Sequence, residues 1–69
     1  MTENIRTMQL TFWAQILTHA QKHAEAIQIK ADKEANGELA TGTYYRTQAF
    51  RARQTVKNAQ IRLYQLNAS

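Results

Sequence analysis

The stretch ANGELATGT, residues 35–43, decides the fold, because it contains both glycines of a 69-residue chain that has no proline. Asn36 followed by Gly37 is typical of a helix end, since glycine adopts the left-handed backbone found just past a helix C-terminus. Thr41, Gly42 and Thr43 supply a flexible joint and a hydroxyl that can cap a new helix. The stretch therefore predicts a turn at about residues 37–42 between two regular elements.

On both sides of this turn, apolar residues recur every three or four positions, which is the repeat of a helix and not of a strand. The upstream seam consists of Leu10, Trp13, Leu17, Ala20, Ala24, Ile27 and Ala31. The downstream seam consists of Tyr45, Ala49, Ala52, Val56, Ala59, Leu63 and Leu66. We expect helix one at about residues 3–36 and helix two at about residues 43–66. Because the connection is short, they should form an antiparallel all-α hairpin, one domain spanning residues 1–69.

Two helices alone form one row of contacts, and this chain has more large apolar side chains than one row can bury. Those expected at an oligomer or partner interface are Ile5, Met8, Phe12, Trp13, Ile16, Phe50 and Ile61. Each gains ~1.5–3 kcal/mol when it is buried, and twofold dimers are the commonest oligomers. We therefore expect a homodimer in which two hairpins pair into a four-helix bundle, with docking onto a different protein as the alternative.

The positive charge of the chain is concentrated in the second helix. Residues 1–38 have a balance of −1, whereas residues 39–69 contain five cations and no acid. The cations are Arg46, Arg51, Arg53, Lys57 and Arg62, and the aromatic side chains near them on the helix are Phe50 and Tyr64. A cationic stripe with aromatic side chains is typical of a helix that contacts nucleic-acid backbone and bases. The pattern predicts nucleic-acid binding, with an acidic protein surface or plain solvation of the cations as alternatives.

One of these cations, Arg46, could instead form an ion pair with a carboxylate near the turn. Arg46 lies at the start of helix two, where it can face Glu34 or Glu38 of helix one. We expect both carboxylates to be solvated, in which case an ion pair there adds little stability.

The sequence contains no recognisable catalytic or cofactor motif. Cysteine is absent, the one serine is Ser69, and neither glycine belongs to a phosphate-binding loop. We therefore expect no enzymatic activity and no cofactor. His19 and His23 share a helix face at the spacing of two zinc ligands, but Ala20 stands where a zinc protease has its glutamate. We expect these histidines to be edge residues of the apolar face, with His23 partly covered, and not a metal site.

The apolar runs are two or three residues long, so the sequence predicts no membrane-spanning segment and no membrane partner. Residues 8–17 loosely imitate the apolar core of a signal peptide, but Gln9, Thr11 and Gln15 interrupt it. We therefore expect a cytoplasmic protein.

In outline, a basic helical hairpin of this size resembles the small plasmid RNA-binding hairpins that pair into four-helix bundles. The resemblance is one of shape only, and no motif residue carries over from it. We expect a small non-enzymatic binding or regulatory protein. The alternative is a protein-binding adaptor or inhibitor of the phage or mobile-element accessory type, which docks onto a host protein or complex through apolar helix faces.

Overall fold

Two long helices and one turn account for the described chain. A computed structural model describes residues 2–68, with side chains from Asn4 to Ala68. Helix α1 spans Thr2–Ala35 and helix α2 spans Tyr44–Ala68, and residues 2–68 contain no strand. The predicted all-α hairpin is confirmed, and each helix end lies within one or two residues of its predicted position.

The turn begins with a Schellman motif at the end of α1. The backbone N–H of Glu38 donates to the carbonyl of Lys33 at 2.9 Å, and that of Gly37 donates to the carbonyl of Glu34 at 3.1 Å. This pair of hydrogen bonds requires a residue with left-handed backbone just past the helix end. Gly37 and Gly42 both adopt this conformation, with φ of 78° and 63°. The turn predicted from the two glycines is therefore confirmed.

The seam between the helices is lined mainly by alanine. The buried apolar residues are Ala31, Ala49, Ala52, Ala59 and Leu66. The remaining seam positions are half-buried, namely Leu10, Trp13, Leu17, Ala20, Ala24, Ile27, Tyr45, Val56 and Leu63. Small side chains allow the helices to approach closely, but each of them buries little apolar area. The predicted seam is thus confirmed, and it is thin.

A single hairpin has more surface than a compact protein of its mass. Its extents are 54 × 15 × 11 Å, and its radius of gyration is 15.8 Å, against about 11 Å for a compact domain of this length. Its accessible surface is 5341 Å², against about 4450 Å² for a typical monomer of this mass. The elongated hairpin therefore exposes about 900 Å² more than a typical monomer of its mass.

Large apolar side chains remain exposed along both helices. They are Ile5, Met8, Phe12, Ile29, Tyr44, Phe50, Ile61 and Tyr64. Their exposed fractions run from 46% for Ile61 to 74% for Tyr64. Neither helix, over the described residues, is long and apolar enough to cross a membrane.

Candidate nucleic-acid interface

Helix α2 carries the predicted interface, and its first turn is capped by a carboxylate from α1. Glu34 Oε2 accepts a hydrogen bond from the backbone N–H of Tyr45 at 2.9 Å, and Oε1 accepts one from the backbone N–H of Arg46 at 3.1 Å. These N–H groups have no acceptor within their own helix. The hydroxyl of Thr41 donates to Glu34 Oε2 at 2.6 Å. The prediction that a hydroxyl caps these groups is therefore wrong, because Thr41 instead orients the carboxylate that caps them.

Arg46 completes this cluster. Its Nε donates to Glu34 Oε1 at 3.0 Å, and its Nη2 donates to the carbonyl of Gly42 at 2.7 Å. The Arg46 side chain is 49% exposed, whereas Glu34 is only 5% exposed. The prediction that Arg46 can face Glu34 is confirmed. The prediction that this carboxylate is solvated is wrong, because the turn folds over it and supplies the hydrogen bonds that water would have supplied.

The carboxyl group of Glu34 stays ionised in this enclosed position. Burial disfavours the charged form, but the hydrogen bonds from Thr41, from the backbone of Tyr45 and Arg46, and from the Arg46 side chain outweigh that penalty. Together they lower the pKa of Glu34 from 4.5 to about 2. A negative charge at this position also complements the positive N-terminal end of the α2 dipole.

The opposite end of α2 is held by a cation from α1. Arg6 Nε donates to the carbonyl of Leu66 at 2.9 Å, and Arg6 Nη2 donates to the carbonyl of Asn67 at 3.0 Å. The last carbonyls of a helix lack intrahelical donors and favour a nearby cation. The sequence analysis missed this role of Arg6. The available signal was its position four residues before Leu10, in phase with the apolar seam.

The predicted cations of α2 have different surroundings. Arg46 is engaged by Glu34, and Arg53 Nη1 donates to Gln28 Oε1 at 2.6 Å. Gln28 Nε2 in turn donates to the carboxylate of Asp32 at 2.9 Å. The side chains of the other three cations are exposed and form no hydrogen bond or ion pair with the side chains described from Asn4 to Ala68; they are Arg51, Lys57 and Arg62. Three of the five predicted cations therefore extend from α2 without a partner among the described side chains.

The aromatic side chains lie between these cations. Phe50, Lys57 and Tyr64 are seven residues apart and so follow one stripe of α2. Phe50 is 57% exposed and Tyr64 is 74% exposed. Arg53 lies on one side of this stripe, whereas Arg51 and Arg62 lie on the other. A ligand that faces α2 thus meets cations on both sides of exposed rings.

The two histidines line different concavities: His23 lies on the α1 flank that faces the Arg51 side of α2, whereas His19 lies with Thr11, Gln15 and Thr18 of α1. His23 lines a shallow interhelical groove with Gln48, Arg51 and Thr55. Both histidines are exposed, so the prediction that His23 is partly covered is wrong. Within the described residues, no three His, Cys, Asp or Glu side chains come together in a way that could hold a metal ion.

The predicted interface residues of α1 form a separate apolar surface. Ile5, Met8 and Phe12 are exposed and line a concavity together with Gln9. Trp13 and Ile16 are half-buried, and the Phe12 and Trp13 rings pack edge to face with centroids 5.7 Å apart. On α2, Phe50 and Ile61 are exposed.

No protein-family model, curated protein or solved structure matches this chain.

Proposed function

We propose that the protein is a non-enzymatic, cytoplasmic nucleic-acid-binding protein that contacts its ligand through the outward face of α2 and works as a homodimer of hairpins in a four-helix bundle. One observation carries the proposal. The four cations of residues 51–62 form no ion pair with any carboxylate of the described chain, whereas Arg46 does so at the helix start. The footprint is Arg51, Arg53, Lys57 and Arg62, with Phe50 and Tyr64 as stacking side chains.

The spacing of these cations suits a phosphate backbone. Residues 51–62 rise by about 16 Å along the helix, and duplex DNA carries one negative charge per ~1.7 Å of its axis. Three of the four cations are arginines, whose planar guanidinium can donate two parallel hydrogen bonds to one phosphate. The exposed rings of Phe50 and Tyr64 offer faces on which unpaired bases can stack.

The caps at both ends of α2 support the same function. Glu34 and Arg6 bind the first N–H groups and the last carbonyls of the helix. A helix held in this way displays its cations at fixed separations, so less conformational freedom is lost on binding. Arg46 contributes to the cap, and we assign it a smaller share of the ligand contacts than Lys57.

The test is binding of a labelled DNA duplex and a labelled RNA hairpin, measured by fluorescence anisotropy at low salt. Neutralising Arg51 and Lys57 together, as R51Q with K57Q, should weaken binding about tenfold or more. The matched control is K22Q with K33Q, which removes the same charge from exposed positions of α1 and should change binding less than about threefold. The proposal would be contradicted if the protein bound neither the DNA nor the RNA, or if the two double variants lost the same amount of affinity.

The alternative function, docking onto another protein, is favoured by the exposed apolar side chains. A protein partner that uses them should be lost with Phe12→Ala, Phe50→Ala or Ile61→Ala and retained with Arg53→Glu. Capture experiments with and without nuclease separate the two functions. Bound material that disappears after nuclease treatment supports nucleic-acid binding, and a protein that stays bound supports the alternative.

A further inference from the structure

We infer that a second copy of this chain docks on the N-terminal half of α1, through an apolar stripe formed by Ile5, Met8, Phe12 and Ile16 (the α1 stripe). The inference rests on the proposed self-association, but it does not depend on nucleic-acid binding. It assigns the dimer contact to α1, on the flank that adjoins the Arg51 side of α2, and leaves Phe50, Arg53, Lys57 and Tyr64 uncovered.

The α1 stripe is exposed and continuous. Ile5, Met8 and Phe12 are 58%, 70% and 56% exposed, and Ile16 is half-buried. Their spacing of three and four residues places them on one side of α1 over three turns. Ile5, Met8 and Phe12 also line a concavity that can receive a side chain from a facing helix. Burial of these side chains would remove apolar surface from water and so favour association.

Charge favours this surface for contact between identical copies. The fifteen residues from Thr7 to Gln21 contain no Asp, Glu, Lys or Arg. The Arg6 guanidinium at the edge of the tract is bound to the carbonyls of Leu66 and Asn67. Contact between two copies of this +4 chain therefore meets no Asp, Glu, Lys or Arg of α1 within the stripe. Contact through the outward side of α2 would instead bring Arg53 and Lys57 close to the same cations of the partner.

The surface area also fits a second copy. The hairpin exposes about 900 Å² more than a typical monomer of its mass, and each partner in a stable interface covers about 800 Å². The excess accessible surface of one hairpin is thus about the area that one such interface would bury.

The α1 helices should run antiparallel. By helical spacing, His23 and Lys30 lie on the same side of α1 as the stripe. A parallel pair would therefore place Lys30 of one copy against Lys30 of the other, where their like charges repel. An antiparallel pair centred between Met8 and Phe12 puts Met8 against the partner's Phe12 and leaves Lys30 beyond the overlap. The dipoles of the two α1 helices then point in opposite directions, which is the favourable arrangement.

The first test is the molar mass of the purified protein, measured by light scattering after size-exclusion chromatography. The wild type should elute at about 16 kDa, twice the mass of one chain, and Phe12→Glu at 8.0 kDa. The matched controls are Ile29→Glu and Phe50→Glu, which place the same charge at exposed apolar positions outside the stripe and should remain dimeric. A monomeric wild type would overturn both this inference and the proposed self-association. A dimer that survives Phe12→Glu but is lost in Phe50→Glu would overturn only the assignment to α1.

The second test measures distances between copies and leaves the stripe intact. Since the chain has no cysteine, a nitroxide can be attached at Gln9→Cys or Ala26→Cys alone. The antiparallel pair predicts a distance below about 20 Å for labels at residue 9 and about 45–50 Å for labels at residue 26. Short distances at both positions, or long distances at both, would contradict it.

Discussion

Glu34 Oε1 accepts two hydrogen bonds from Arg46, one from its backbone N–H at 3.1 Å and one from its Nε at 3.0 Å. A single residue of α2 is thus attached to α1 through its main chain and its side chain. Because Thr41 donates to the other carboxylate oxygen, the same group joins the end of α1, the turn and the start of α2. The turn is therefore held by side-chain hydrogen bonds to Glu34 as well as by its own backbone hydrogen bonds.

Glu34→Gln should destabilise the hairpin, because the amide loses the negative charge and one of the two acceptor oxygens. Loss of one helix cap in a domain of this size lowers Tm by roughly 4–8 °C. The measurement is thermal unfolding followed by circular dichroism. Glu38→Gln is the matched control, since Glu38 is exposed, and its Tm should stay close to that of the wild type. Equal losses in the two variants would show that the cap contributes nothing.

The contribution of Glu34 should depend on pH with a defined sign. Its pKa is about 2 in the folded protein, below the ordinary value of 4.5 that applies to the unfolded chain. The unfolded chain therefore takes up the proton first as the pH falls, and protonation favours unfolding. The stabilisation is complete above the unfolded value and is lost as the pH falls toward 2. The Tm difference between the wild type and Glu34→Gln should be constant near neutral pH and should become smaller as the pH falls from about 4.5 toward 2. A Tm difference of the same size at neutral pH and near pH 2 would contradict the lowered pKa of Glu34.

Arg6→Gln should loosen the end of α2, because Leu66 and Asn67 lose donors to their carbonyls. Loss of these charge-assisted bonds at a helix C-terminus costs about 1 kcal/mol. Amide hydrogen exchange should become faster in residues 64–68 and change little in the first turns of α2. Lys22→Gln, at an exposed position, is the control for charge. Unchanged exchange in residues 64–68 would remove the proposed role of Arg6.

Ala59→Leu should force the two helices apart. Ala59 is 1% exposed, so three additional carbon atoms have no space in the seam, and overpacking of this kind costs ~1–3 kcal/mol. Ala26→Leu adds the same group at an exposed position and should be nearly neutral. Urea denaturation measures the free energy of unfolding of both variants. A stable Ala59→Leu variant with unchanged denaturation would show that the seam is looser than the burial of its alanines indicates.

The helices, the turn and the seam were predictable because each is encoded by a local and repeated signal. Gly37 and Gly42 mark the turn through their own backbone preferences, and the apolar repeat extends over many turns of each helix. Glu34 and Arg6 carry no such signal. A charged residue is expected to be solvated unless its partner is known, and Arg6 and Leu66 are 60 positions apart in the chain. Their contacts follow from the register of the closed hairpin, which the repeat alone leaves unspecified.

The candidate site shows the same division. The sequence predicts the concentration of cations on α2, since that needs only a count along the chain. It does not distinguish Arg46, which Glu34 engages, from Lys57, which has no partner within residues 2–68. The link from Arg53 to Gln28 likewise joins residues 25 positions apart. Separating structural from available cations requires the relative placement of the two helices.

If the cations of residues 51–62 contact phosphates, nucleic-acid binding should depend strongly on the salt concentration. The association constant of the wild type with a DNA duplex and a single-stranded RNA should be measured between about 50 and 200 mM salt. Four phosphate contacts predict a slope of log K against log salt of about −2.8 to −3.6, and Lys57→Gln should reduce its magnitude by about 0.7–0.9. A slope near zero, or one that Lys57→Gln leaves unchanged, would contradict the claim.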